Sequence, residues 1–167
     1  MNKVFVEWLQ SLVEAIVIIL ILFFFCWPLK IDGNSMEATF SSNDRVIISR
    51  ACGFFNLLQR SDVIVCKIKE DNEEVVILKR LIGIPGDKIE IVAGKVFVNS
   101  RLVEENYVSF NDTYNLFEIE LGQDEYFVLG DNRVLSSDSR HFGPLKKSSI
   151  IGKVLIKWYP FNEIKTF

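Results

Sequence analysis

The order of apolar and polar residues divides the chain near residue 30. Before it, residues 15–29 ("AIVIILILFFFCWPL") are uncharged and apolar throughout, and a helix extends back over Leu12, Leu9 and Trp8 with Glu14 as its one serious defect. As a helix, Trp8 to Trp27 spans about 28 Å, which matches a hydrocarbon core of about 30 Å with an aromatic at each edge. A cleaved signal peptide fits less well: Lys3 is set against Glu7, and "CWPLKIDG" offers no small-x-small cleavage site. The pattern predicts an N-terminal segment, residues 1–29, with a single transmembrane anchor over about residues 8–29.

Beyond it the period shortens. "RVIISR", "DVIVCKIK", "EVVILKRLIGI", "DKIEIVAGKVFVN", "EIELG", "YFVLG" and "IGKVLIKWYP" read as strands, with "EDNEE" and "VAGK" as hairpin turns and "IPGD" as a further break. Residues 30–167 are expected to form one mainly β domain of short strands in bent or partly closed sheets. The stretch "SFNDTYNLFE" (109–118) is the expected exposed loop. Aromatic clusters at 52–60 and in "KWYPF" suit a core, or a face that a tethered domain turns toward the membrane interface.

Composition removes several function classes. A chain of 167 residues buries one core of useful size. With a net charge of -3 and no basic block, it is not built to bind nucleic acid. Cys26, Cys52 and Cys66 show no metal-ligand spacing, so neither a zinc site nor a disulfide framework is implied. Asp44, Asp62 and Asp87 read as turn-capping or solvated.

The candidate chemistry lies in "IDGNSMEATFSSNDRV", where Ser35 sits in a Gly/Asn-containing turn just past the apolar run. A serine alone is inert near neutral pH and needs a base. The single histidine, His141, stands in "SRHFGPL", far from any G-x-S-x-G elbow, and no serine is followed three residues later by lysine. Lys79 comes after four apolar residues in "VVILKRLIG". Burial there would disfavour its ammonium and let the amine accept a proton. On the residues alone, a lysine that faces solvent or snorkels is the favoured reading.

The segments "GNSMEATF", "LKRLIGIPGD" and "YFVLGDNRVLSSDSRHFGP", in this order behind one anchor, resemble the boxes of the type I signal peptidases across about residues 31–152, most closely the smaller single-anchor Gram-positive type. The resemblance implies a signal-peptidase-type β-domain behind one N-terminal transmembrane helix. It implies a membrane serine endopeptidase that needs no cofactor or metal. Its partners would be preproteins and the lipid bilayer, and its reaction would be signal peptide removal after an Ala-x-Ala-like site on the extracytoplasmic side. Carried across, Ser35 is the nucleophile, Lys79 the general base, and Ser136 the hydroxyl that orients the lysine amine. Some members supply an oxyanion donor two residues before the nucleophile; Gly33 stands there, which leaves the Ser35 backbone N–H. Ile31, Met36, Phe40, Ile77 and Leu78 would wall shallow apolar subsites. Arg80 with Asp131 and Asp138 with Arg140 would hold the geometry as ion pairs. Ala38 replaces the proline of the family's S-M-x-P-T, an expected loss of about 0.4–1 kcal/mol of turn rigidity. A self-cleaving SOS-type repressor would need a DNA-binding module where this chain has an apolar run. A non-catalytic relative, such as an assembly factor for surface pili, would keep the fold without the Ser/Lys pair.

Overall fold

In the computed structural model, which describes residues 3–55, 57–70 and 72–167, the apolar run forms helix α1 (Lys3–Phe25). Its residues Lys3–Phe23, of mean hydropathy 2.1, make a helix long and apolar enough to cross a membrane, and none of it is buried in the protein. The helix stops short of the predicted boundary at residue 29. Cys26–Lys30 is instead strand β1, paired antiparallel with β2 (Arg45–Ser49). Pro28 is the local reason, since its ring disfavours a helical residue before it and its missing N–H is tolerated on an edge strand. Trp27 therefore belongs to a strand and is not the end of one continuous helix. The Phe25 carbonyl, left without a helical partner by the end of α1, accepts the Arg50 N–H at 3.0 Å and ties the helix to the domain.

Two antiparallel sheets make up the rest. The larger adds β3 (Val63–Glu70), β4 (Glu73–Gly83), β9 (Glu125–Leu129), β10 (Leu145–Lys146), β11 (Ile150–Tyr159) and β12 (Lys165–Thr166) to the first two strands. Its order is β1-β2-β11-β3-β4-β9-β10, with β12 joined to β11. The smaller has the order β7-β6-β5-β8, from β5 (Lys88–Val92), β6 (Lys95–Val98), β7 (Arg101–Leu102) and β8 (Leu116–Glu120). The "VAGK" hairpin turns on Ala93 and Gly94, both at positive φ (48° and 77°), as a tight two-residue turn between right-twisted strands requires. Short helices α2 (Ala51–Phe54) and α3 (Ser139–Phe142) and two 3-10 turns, Lys147–Ser149 and Phe161–Glu163, complete the described elements.

The larger sheet is buried on both faces, which is why its strands read as almost continuously apolar. Val63 and Val65 of β3 join a core with Ile31, Met36, Phe40, Val46, Ile48 and Val154. Ile64, Cys66 and Ile68, on the opposite face, pack with Leu81, Tyr126 and Val128. Ile82, Phe127 and Leu129 meet the smaller sheet through Ile89, Ile91, Val96 and Val98. Asp44, Asp62 and Asp87 are turn caps and not solvated: each carboxylate accepts the N–H of the residue three before it, at 2.9, 2.8 and 2.9 Å. Lys157, Lys153 and Arg60 balance their charges in turn.

Segment 109–118 is less free than its composition suggests. Tyr114 donates its hydroxyl to the Arg140 carbonyl at 3.0 Å, Asp112 pairs with Arg140, and residues from Leu116 onward belong to β8. The two aromatic clusters also separate. Arg50 and α2 lie at the end of β2 where α1 leaves the domain, whereas Tyr159 pairs with Arg45 at the opposite end.

Candidate active site

Ser35 is held on a turn whose ends are sunk in the core. Phe40 N–H bonds to the Met36 carbonyl at 2.8 Å, Glu37 N–H bonds to the Asn34 carbonyl at 3.1 Å, and the Met36 and Phe40 side chains are buried. The Ser35 carbonyl accepts the Asn132 N–H at 3.0 Å, which docks the turn on the loop after β9. Lys79 arrives from β4, opposite Ile64 of β3. Its Nζ stands 2.7 Å from Ser35 Oγ, and the residue is only 3% exposed. Burial among apolar neighbours pulls the Lys79 amine below its ordinary 10.5; Asp138 opposes the shift and Arg140 assists it. As an ammonium it donates to the Ser35 hydroxyl; as a neutral amine it can receive that hydroxyl's proton along the same line.

Ser136 is buried beside this pair, yet its hydroxyl makes no directed hydrogen bond to Lys79 or to any other described group. It neighbours the Asp138 carboxylate and helps hold it charged. Burial alone would raise the Asp138 pKa; Arg140 and the Gly130 N–H, at 2.8 and 3.0 Å, reverse that and hold it below the usual range. Arg80 reaches both oxygens of Asp131, at 2.8 and 2.6 Å, and Thr39 of the nucleophile turn donates to the same carboxylate at 2.5 Å. The Tyr107 ring covers the Arg80 guanidinium at 4.0 Å. The four charged residues thus brace the turn, the lysine strand and the loop after β9 against one another. His141 is exposed, packs beside the Tyr114 ring at 6.4 Å and does not reach Ser35.

The Ser35 N–H has no acceptor among the described residues, and Gly33, at φ +94°, leaves open space where a side chain would project. Ala38 has φ +84°, a conformation closed to proline. The expectation that Ala38 merely loosens a proline-type turn is therefore corrected: the turn takes a different backbone path.

A cleft of about 600 Å³ opens onto Ser35 and Lys79 between residues 29–36 on one wall and 75–79 on the other. Ile31, Met36, Ile77 and Leu78 line it as expected from the sequence. Phe40 does not; it is stacked on Phe167 at 4.6 Å within the core. The reading from sequence missed Leu29, Lys30, Asp32, Val75 and Val76, which also line the cleft. Their signal is topological. Among the described residues β1 pairs only with β2, and β4 meets β9 only from Arg80 onward, so each wall presents an unpaired strand edge.

A buried amine of lowered pKa in contact with a serine hydroxyl at the floor of a cleft defines the equipment of a serine hydrolase. The family model described as signal peptidase, peptidase S26, matches residues 5–159. Signal peptidase IB of Staphylococcus aureus (strain COL) is 32% identical over 184 residues, covering 99% of this chain and 95% of that protein. The probable signal peptidase I-2 of Synechocystis is 31% identical over 138 residues, covering 80% of this chain and 63% of that protein. The crystal structure of a signal peptidase I from Enterococcus faecalis V583 superposes with a TM-score of 0.49 at 32% identity, over 57% of this chain and 95% of that one. The chain belongs to the signal peptidase family, peptidase S26, and is a serine endopeptidase of that class.

Proposed function

We propose that the protein removes N-terminal signal peptides from exported preproteins, with Ser35 as nucleophile and Lys79 as general base. The observation that carries this reading is the 2.7 Å contact between Lys79 Nζ and Ser35 Oγ in a buried setting. Neutral Lys79 takes the Ser35 proton as Oγ attacks the scissile carbonyl carbon, and the free Ser35 N–H receives the developing oxyanion. The lysine then gives the proton to the leaving amine, which departs as the new N-terminus. The acyl-enzyme at Ser35 is released by a water that Lys79 deprotonates. Ser136, buried beside the Asp138 carboxylate, supplies a hydroxyl that turns to the amine once substrate fills the cleft.

The unpaired edges of β1 and β4 suit a substrate that enters as an extended strand and hydrogen-bonds through its backbone, leaving its side chains to the apolar walls. Ile31, Met36, Ile77 and Leu78 are shallow and apolar, as small residues such as Ala require. α1 crosses the bilayer once and holds the β domain on the extracytoplasmic side, where signal peptides emerge. At its exit Arg50 lies 4.7 Å over the Trp27 ring, and Phe55 and Leu57 are exposed, a composition suited to a headgroup boundary. The segment from Cys26 to Ser35 reaches at most about 35 Å, so the nucleophile stays near the surface.

The test is cleavage of a preprotein bearing an Ala-x-Ala site by the detergent-solubilised full chain. Ser35→Ala, Lys79→Ala and Lys79→Arg should each lower kcat/KM at least about a thousandfold while the fold is kept. Near wild-type cleavage by any of the three would sink the assignment.

A further inference from the structure

The open edge of β4 ends at the dyad. Residues 75–79 have no strand partner on the cleft side among the described residues, but Arg80 pairs with Leu129 of β9, and from there the edge is taken. A substrate strand lying along residues 75–79 therefore runs out of backbone partners beside Ser35. With the signal-peptide side of the substrate along residues 75–79, the residues past the scissile bond leave beside the loop after β9, whose Asn132 N–H binds the Ser35 carbonyl.

From residue 126 to 140 nearly every residue of this stretch is buried; Val134, Leu135 and Ser137 are the exceptions. Val134 is 61% exposed and Leu135 is 63% exposed. The backbone that presents them is fixed. Arg133 Nε donates to the Gly130 carbonyl at 2.9 Å, Arg133 pairs with Glu105 at 2.5 Å, and Leu135 N–H bonds to the Asn132 side chain at 3.2 Å. Phe110, 54% exposed, is drawn alongside: it bridges Asn132, and its carbonyl accepts the Arg133 N–H at 2.9 Å. Three large apolar side chains thus stand in water on a hydrogen-bonded support, tied along the chain or by a bridge to Asn132, whose N–H holds the Ser35 carbonyl.

We propose that Val134 and Leu135, flanked by Phe110, form an apolar subsite for the substrate residues past the scissile bond. The enzyme then favours preproteins whose mature region begins with apolar residues. The proposal rests on the Ser35/Lys79 reading. It makes the choice of bond depend on both sides of the cut, with the small-residue pocket reading the signal peptide and this patch reading the mature chain.

The experiment uses the full chain in detergent and two preprotein-derived peptides, identical up to an Ala-x-Ala site. One continues in Leu and Val, the other in Ser and Gln. Wild type should favour the apolar peptide about tenfold in kcat/KM, mostly through KM. The double variant Val134→Ser/Leu135→Ser should bring the ratio close to one, and Val134→Ile/Leu135→Met should keep it, which separates a subsite from a damaged fold. A wild-type ratio of one overturns the subsite and leaves the dyad standing. Cleavage of both peptides by Ser35→Ala would overturn the dyad and the proposal together. If the serine double variant keeps the wild-type ratio in detergent, and lowers cleavage of both peptides alike only when phospholipid vesicles are added, the patch serves the bilayer and the proposal fails.

Discussion

Gly130 passes so close to Ser136 that a Cβ on the glycine would meet the Ser136 Cβ at 2.5 Å, and the Ser35 carbonyl oxygen at 2.6 Å. The loop after β9 and the nucleophile turn therefore meet over a residue that has no side chain, and the Asn132 bond to Ser35 depends on that approach. Gly130→Ala is expected to destabilise the protein by about 1–3 kcal/mol and, by displacing Ser35, to lower kcat/KM at least about tenfold. Thermal melting and steady-state cleavage check the two effects separately. Unchanged kinetics would mean that the meeting of turn and loop does not set the nucleophile's position.

The lowered pKa of Lys79 fixes the sign of two pH effects. Activity should rise with pH as the amine loses its proton below its ordinary 10.5, and His141→Ala should leave the profile unmoved because His141 does not reach Ser35. For stability, the folded protein binds fewer protons at Lys79 than the unfolded chain between the lowered pKa and 10.5. The residue therefore weakens the fold at neutral pH, and the penalty fades as pH climbs toward 10.5. Lys79→Met should melt higher at pH 7, by about 0.5–2 kcal/mol, while losing cleavage. The gap between variant and wild type should narrow at alkaline pH. A variant that is less stable at neutral pH would contradict burial as the source of the shift.

Ala38 holds a left-handed conformation that an L side chain adopts at a penalty of about 1–2 kcal/mol. Ala38→Gly should relieve about 1 kcal/mol of it and keep activity. Ala38→Pro, which restores the family residue, should nonetheless fail: proline is confined near φ of about −65° and the turn bearing Ser35 would have to be rebuilt. Cleavage should fall at least about tenfold, with a lower melting temperature. A proline variant as active and stable as wild type would show that this turn tolerates the other path.

Elements with a local cause are legible in the order of residues. Alternating β-branched runs became β2 to β6, β9 and β11 because their side chains bury on one or both faces of a sheet. Ser35 and Lys79 stood out, one by its turn and one by the apolar residues before it, and the order of the three boxes pointed to the family. Features that depend on residues far apart in the chain emerge only in the folded packing. Pro28 marks locally where the helix must stop, but that Cys26–Lys30 becomes a strand depends on the edge of β2, a partner some twenty residues on. Ile31, Met36 and Phe40 look alike as wall residues, but Phe167 at the far end of the chain covers Phe40 and takes it out of the cleft. Val75 and Val76 gained their place because β9 joins β4 only from Arg80, so the strand edge that faces the cleft is set by a pairing between segments some fifty residues apart. The pairing of amine and hydroxyl belongs to the same class: 44 residues separate Ser35 from Lys79, and only the packing of the turn against β4 brings them to 2.7 Å and buries the amine, which lowers its pKa.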